Sequence, residues 1–203
     1  PRTRRSGSLD VFQARGLDEG LGLSLRTVAL EWAILAVIVF AFCTAFLSFD
    51  NTRILPGNES DIVQSLDWTL VNGLKQFGQF PIWNPYLRSG FPFVADPFLH
   101  VYNPLATLPV LLLGVWDGFK VALFLSFLAA ALGMWWMGVV LGVGRPSRVW
   151  MGLMYAFTGQ AVARFFQGEY GFVLGFAWIP CALAFTLLAM RTRRLLHVIG
   201  AVV

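Results

Sequence analysis

The sequence predicts an all-α fold: a polytopic transmembrane helix bundle with a long first extracytoplasmic loop that contains an amphipathic helix. Three observations lead there. Only 13% of the 203 residues are charged and 57% are hydrophobic, whereas soluble domains carry roughly 25% charged residues. The apolar residues gather in runs, several of them close to the roughly 20 residues that cross a bilayer. The basic residues sit in short clusters beside those runs, the pattern that orients membrane helices. The net charge of +4 is therefore read as orientation: membrane lipid is the expected partner and no nucleic acid is. The eight Trp suit aromatic belts at the two interfaces.

Residues 1–26 form a polar, basic tail, with Arg2, Arg4, Arg5, Arg15 and Arg26 set against Asp10, Asp18 and Glu19. No short apolar core with a small-residue cleavage site follows the charges, so this is not read as a signal peptide. It is read as a cytoplasmic tail with an amphipathic piece at 9–23. The transmembrane domain, 27–203, opens with a span at about 28–49, long enough at 1.5 Å per residue for a core of roughly 30 Å. Its one acid, Glu31, is expected at the interface, favouring the helix N-terminus. Further spans are expected at 119–143, 149–166 and 172–190, and another starts at 195. The chain opens at Pro1 and stops inside an apolar run, as a piece of a longer protein would.

The apolar piece 105–116 is too short to cross. It is interfacial, re-entrant or an extension of the next span, and Pro109 should bend it. Arg2, Arg4, Arg5, Arg15, Arg26, Arg145, Arg148, Arg191, Arg193 and Arg194 fall on one side if the four full runs alternate. That side is then cytoplasmic, with the amino terminus, and the loop 50–118 lies outside. Gly133, Gly138, Gly142, Gly152, Gly159, Gly171 and Gly175 offer small surfaces for helix packing. Pro180 is expected to kink its span against a packed neighbour. Cys43 and Cys181 lie in apolar runs without a partner at ligand spacing and are read as small buried hydrophobes.

Within the loop, residues 59–77 have helical periodicity. Val63, Leu66, Leu70, Leu74 and Phe77 share one face, and Asp61, Gln64, Ser65, Trp68, Asn72 and Lys75 or Gln76 the other. Such a helix lies flat on the bilayer or the spans, with Asn58 as its cap. Asp61 either offsets the helix dipole or serves as a catalytic carboxylate at the membrane surface. Asp67 projects roughly 240° round the helix from Asp61, so the two are not expected to share a site. The Asn58-Glu59-Ser60 sequon is read as a chance match. Residues 80–92 hold too much Pro, Asn and Gly for a helix or a central strand, and their aromatic residues anchor the loop at headgroup level. Asp96 is read as the cap of a helix starting at Pro97, and His100 as an interfacial or hydrogen-bonded residue. Arg164 lies one turn beyond Gln160. It either pairs with Glu169 at the interface or faces an outer cavity and meets an anionic group such as a lipid phosphate.

The order of these pieces resembles a family. Asp61-x-x-Gln64, the amphipathic helix, Pro81-x-Trp83-Asn84-Pro85, Gly90-x-Pro92 and Tyr102-Asn103-Pro104 look like the amino-terminal part of the YfhO-like bacterial membrane proteins of the GT-C glycosyltransferase superfamily. Gly159 and Ala177-Trp178-Ile179-Pro180 extend the resemblance, which covers about 28–190. It implies a GT-C-like fold in the bacterial inner membrane, and transfer of a sugar from a polyprenyl-phosphate-linked donor to an extracytoplasmic acceptor. Asp61 is then the catalytic position, with Gln64, Lys75, Arg88, Asp96, His100 and Arg164 as substrate-binding candidates. The departing phosphate needs a cation: Lys75, Arg88, Arg164 or a bound divalent ion, for which no ligand residues are assigned. The competing expectation is a non-catalytic structural or accessory transmembrane subunit of a larger membrane complex. A transporter is disfavoured because no pair of interrupted spans recurs in two halves.

Overall fold

The computed structural model describes residues 24–49, 55, 57, 60–87, 89–96, 99–193 and 195–202. The piece expected at 9–23, the cap Asn58 and Arg88 lie outside the described residues. The protein is mostly helical, and three of its helical stretches are long and apolar enough to cross a membrane. In chain order the elements are α1 (Leu25–Cys43), α2 (Ser60–Phe77), β1 (Trp83–Asn84), β2 (Phe91–Pro92), α3 (Pro104–Leu113), α4 (Val115–Val140), α5 (Arg145–Ala156), α6 (Gly159–Gln167), α7 (Tyr170–Phe176), α8 (Ile179–Thr192) and α9 (Leu195–Val202).

The 26-residue α4 is the axis, and α1, α2, α3, α5, α7 and α8 all pack on it. Small residues let them approach closely. A Cβ added to Gly152 of α5 would fall 2.7 Å from the Ala131 carbonyl of α4, and one on Gly138 would meet the Arg148 Cβ at 2.8 Å. Gly133 likewise sits against Cys181, but Gly142, Gly159, Gly171 and Gly175 face open space. The packing role expected of all seven therefore holds for three. At mid-height Phe127 is fully buried and meets the rings of Phe42, Phe157, Phe165 and Phe176.

Two expected helices are interrupted. The run 149–166 divides after Ala156, and Thr158 caps the new helix α6 by accepting from the Ala161 N–H at 3.2 Å. The stretch Tyr170–Thr192 breaks at Ala177–Trp178, so Pro180 stands in the first turn of α8 and not at a kink within a helix. That is where a missing N–H costs nothing. The apolar piece at 105–116 becomes α3, which ends at Gly114 (φ 87°) and folds back on the start of α4. Gly118 makes the fold-back possible, because a Cβ there would lie 2.4 Å from the Pro109 carbonyl.

The bundle has two distinct ends. At one, the start of α1, the end of α4, the start of α5 and the end of α8 come together. Arg148 of α5 reaches Glu31 of α1, and Arg191 of α8 donates to the Val140 carbonyl of α4 at 2.8 Å. Arg26, Arg145, Arg148, Arg191 and Arg193 all belong to this basic end. At the other, the loop end, Lys120 near the start of α4 donates to the Ser48 carbonyl beyond α1 at 2.7 Å. Gly168, between α6 and α7, lies against Gly57.

Glu31 is not the interfacial acid expected from its position. It is 5% exposed, accepts two hydrogen bonds from Arg148 at 2.6 and 2.7 Å, and takes a third from Trp135 Nε1 at 2.7 Å. It continues the buried stripe Leu35, Val39 and Cys43 of α1, so only a paired charge is tolerable there.

Candidate functional site

The loop end carries the buried polar groups that a site can be built from. The backbone of α2 runs across it, in contact with α3, α4 and α7. Val63, Leu66 and Leu70 are buried as the periodicity predicts, but Leu74 and Phe77 are exposed, and Gln64, Asp67 and Thr69 are buried. At 100° per residue the buried positions cover an arc of roughly 220°. The helix is enclosed on two sides. The spans cover one, and a second small core of Leu66, Leu70 and Phe93, with Ile62, Leu87, Phe91, Leu99 and Val101 around it, covers the other.

That second core is formed by the Pro-rich segment folding over α2. Trp83 pairs with Pro92 and Asn84 with Phe91 in a two-residue antiparallel ladder, the irregular structure its composition allows. The Trp83 ring lies over Gly90, where any Cβ would come within 2.8 Å of it. Trp68 of α2 meets Tyr86 edge-on, with ring centroids 5.1 Å apart. A groove of about 330 Å³ lies beside this contact, lined by residues including Asn72, Phe80, Trp83 and Tyr86. None of the described site residues expected from the sequence lines it.

Seven site residues were expected, and the structure separates them. Asp61 is exposed in the first turn of α2, where Ser60 Oγ lies 3.5 Å from its Oδ1. Gln64, one turn on, is buried, and its Oε1 has no hydrogen-bond partner among the described residues. Lys75 is exposed in the last turn of α2, about 21 Å along the axis from Asp61. Asp96 is half-buried after a short 3₁₀ turn. It does not cap a helix continuing past residue 98, since residues 99–103 are not helical. Asn103 caps the next helix instead, accepting from the Leu105 N–H at 3.1 Å. Arg88 lies outside the described residues.

His100 is buried, and one ring nitrogen lies 2.9 Å from Asp67 Oδ1. Its ring packs on Phe119, which in turn packs on Tyr170. Asp67 is thus a buried, partnered acid, on the side of α2 that the helical-wheel reading set apart from Asp61. Its other oxygen, Oδ2, is buried without a partner among the described residues, and an unmet buried acceptor costs about 1–3 kcal/mol. The sequence holds the signal for it: Val63, Asp67, Leu70 and Leu74 also make a helical stripe, and an acid within an apolar stripe calls for a buried partner. Lys120 is a second buried charge, 3% exposed and 3.6 Å from Asp117. At that distance the Asp117 contact is an ion pair without a hydrogen bond, and the Ser48 carbonyl is the closer partner.

Arg164 pairs with Glu169 through Nη1 and Oε2, and its guanidinium lies over the Phe172 ring. Its link to the loop is made by backbone. Gly57 has φ 119°, and a Cβ there would sit 2.2 Å from Gly168 Cα. Ser60 Oγ donates back to the Gly57 carbonyl at 3.1 Å. The first turn of α2, with Asp61, is thereby held beside the end of α6, with Arg164. Gln64 and Asp67 are buried one to two turns further along α2, where Asp67 meets His100. Among the described residues no three His, Cys, Asp or Glu side chains converge as metal ligands would.

Comparison of the chain with family models, curated proteins and solved structures finds no match.

Proposed function

We propose that this chain is the amino-terminal part of a membrane glycosyltransferase of the GT-C kind, taking its sugar from a polyprenyl-phosphate-linked donor at the loop end. The observation that carries the reading is the placement of Asp61. The first turn of α2 leaves this acid open to solvent while Ser60, Val63 and Gln64 beside it are buried, and the Gly57–Gly168 contact sets it beside the end of α6, where Arg164 lies. The loop end is extracytoplasmic and the basic end, with the amino terminus, is cytoplasmic in a bacterial inner membrane. The gathering of Arg26, Arg145, Arg148, Arg191 and Arg193 at one end of the bundle supports that orientation.

In the reaction the Asp61 carboxylate takes the proton of the acceptor hydroxyl as its oxygen bonds to the anomeric carbon. The bond between that carbon and the donor phosphate oxygen breaks, and the electron pair leaves with polyprenyl phosphate. Arg164, paired with Glu169 at the end of α6, is the cation assigned to the departing phosphate. Gln64, one turn on from Asp61, is buried with its Oε1 closed off from solvent and is given no part in this step, and the Asp67–His100 pair fixes α2 in place beneath Asp61. Lys75 belongs to the far end of α2 and is not given a part in this step.

The test is release of polyprenyl phosphate by the full-length protein in proteoliposomes, compared with Asp61→Asn. A second reading, a non-catalytic accessory subunit, draws on α1, whose apolar window is only 17% buried within the bundle. Partner helices would cover it. Equal release by wild type and Asp61→Asn, with a partner subunit retained on purification, would favour that reading.

A further inference from the structure

A second cleft lies at the basic end, between the first turns of α1 and α5, with a volume of about 550 Å³. This is within the roughly 300–1,000 Å³ of small-molecule sites. Its walls are apolar: Leu30 and Ile34 from α1, Trp150 and Leu153 from α5. Its mouth carries Arg26 and Arg145. Glu31 also borders it, but that carboxylate is bound on both oxygens by Arg148. Counting Arg26, Arg145 and Arg148 against Glu31 leaves two positive charges, both at the mouth. Neither Arg26 nor Arg145 has a hydrogen-bonded partner among the described residues. Ser24, the N-cap of α1, makes no side-chain cap hydrogen bond, so the backbone N–H groups at the start of α1 add to the positive field.

We propose that this cleft binds one anionic phospholipid of the adjoining leaflet, its phosphate between Arg26 and Arg145 and an acyl chain along Leu30, Ile34 and Leu153. One apolar wall belongs to α1, a helix long and apolar enough to cross a membrane, and the other to α5 packed beside it, so the cleft borders the acyl chains around α1. The paired guanidiniums select an anionic headgroup over a zwitterionic one, each adding about fivefold in affinity by the attraction a single basic residue exerts on anionic lipid. The 63% exposed Trp150 stands at the side of the cleft and reports on what fills it. This site is at the opposite end of the bundle from Asp61 and does not rest on the glycosyltransferase reading.

The experiment uses the full-length protein in nanodiscs of phosphatidylcholine doped with acyl-brominated phosphatidylglycerol or acyl-brominated phosphatidylcholine. The signal from Trp150 is isolated as the difference between wild type and Trp150→Phe. Brominated phosphatidylglycerol should quench that component at a mole fraction at least about tenfold lower than brominated phosphatidylcholine. The preference should collapse in Arg26→Gln/Arg145→Gln, a surface double variant that leaves the Glu31–Arg148 pair intact and whose folding is checked by circular dichroism. Equal quenching by the two lipids, or a preference that survives the double variant, overturns the proposal. Absence of quenching by either lipid also overturns it, because protein then covers Trp150.

Discussion

Arg148 grips Glu31 through both arms of its guanidinium, Nε to Oε2 at 2.6 Å and Nη2 to Oε1 at 2.7 Å, deep between α1, α4 and α5. Trp135 adds a third donor to the carboxylate and lies 5.3 Å beneath the guanidinium. Two charges that repel lipid are thereby turned inward and used to tie three helices together.

Removing one partner strands the other in an apolar setting. Glu31→Ala should cost about 3–5 kcal/mol, and Arg148→Met a similar amount. The double variant Glu31→Leu/Arg148→Met should cost less than the sum of the two. Reversible unfolding in detergent, read as a double-mutant cycle, checks this; strictly additive losses would contradict the pairing.

The Asp67–His100 contact should decide how firmly α2 is seated. Asp67→Ala and His100→Ala are each expected to lose about 1–3 kcal/mol and to speed tryptic cleavage after the exposed Lys75. Cleavage rates equal to wild type in both variants would mean that α2 is held without the pair.

Glycine positions give a graded test of the packing. Gly57→Ala combines a positive φ with a Cβ 2.2 Å from Gly168 Cα. It should destabilise by about 2 kcal/mol or more and displace the first turn of α2. Gly175→Ala, inside α7 with open space around it, should gain about 0.5–1 kcal/mol. The two melting shifts should have opposite signs.

These residues also mark how far the sequence could be read. The 3.6-residue period placed α2 to within a residue of Ser60–Phe77, because burial against a curved helical surface imprints that period directly. The three long apolar stretches were legible for the same reason. The breaks at Phe157–Thr158 and Ala177–Trp178 were read less well: Thr158-Gly159 can stand inside a helix or start one, and Pro180 signalled a disturbance but not that a new helix begins at Ile179. The polar face assigned to α2 failed at Gln64 because the Pro-rich segment and the spans enclose the helix from two sides, whereas periodicity assumes a single buried side. The stripe that holds Asp67 signals the need for a buried partner, but short-range spacing does not identify that partner as His100, 33 residues away. Arg164 and Glu169, five residues apart, were legible as a pair.

Orientation can be read by labelling. With Cys43 and Cys181 replaced, Ser89→Cys, exposed in the Pro-rich segment between β1 and β2, should react with a membrane-impermeant maleimide on intact cells. Arg145→Cys should react only after permeabilisation. The reverse pattern would invert the assigned topology.

The central claim concerns Asp61, and single-turnover kinetics tests it most directly. The full-length protein in proteoliposomes is loaded with a polyprenyl-phosphate-linked sugar, and glycosidic bond formation is followed for wild type and Asp61→Asn. The account predicts a fall of roughly 10²–10⁴ in the chemical step, with donor binding unchanged and at most about 1 kcal/mol of stability lost with the first-turn charge, because Asp61 is exposed and outside the buried clusters. Bond formation at the wild-type rate by a normally inserted Asp61→Asn protein would contradict it.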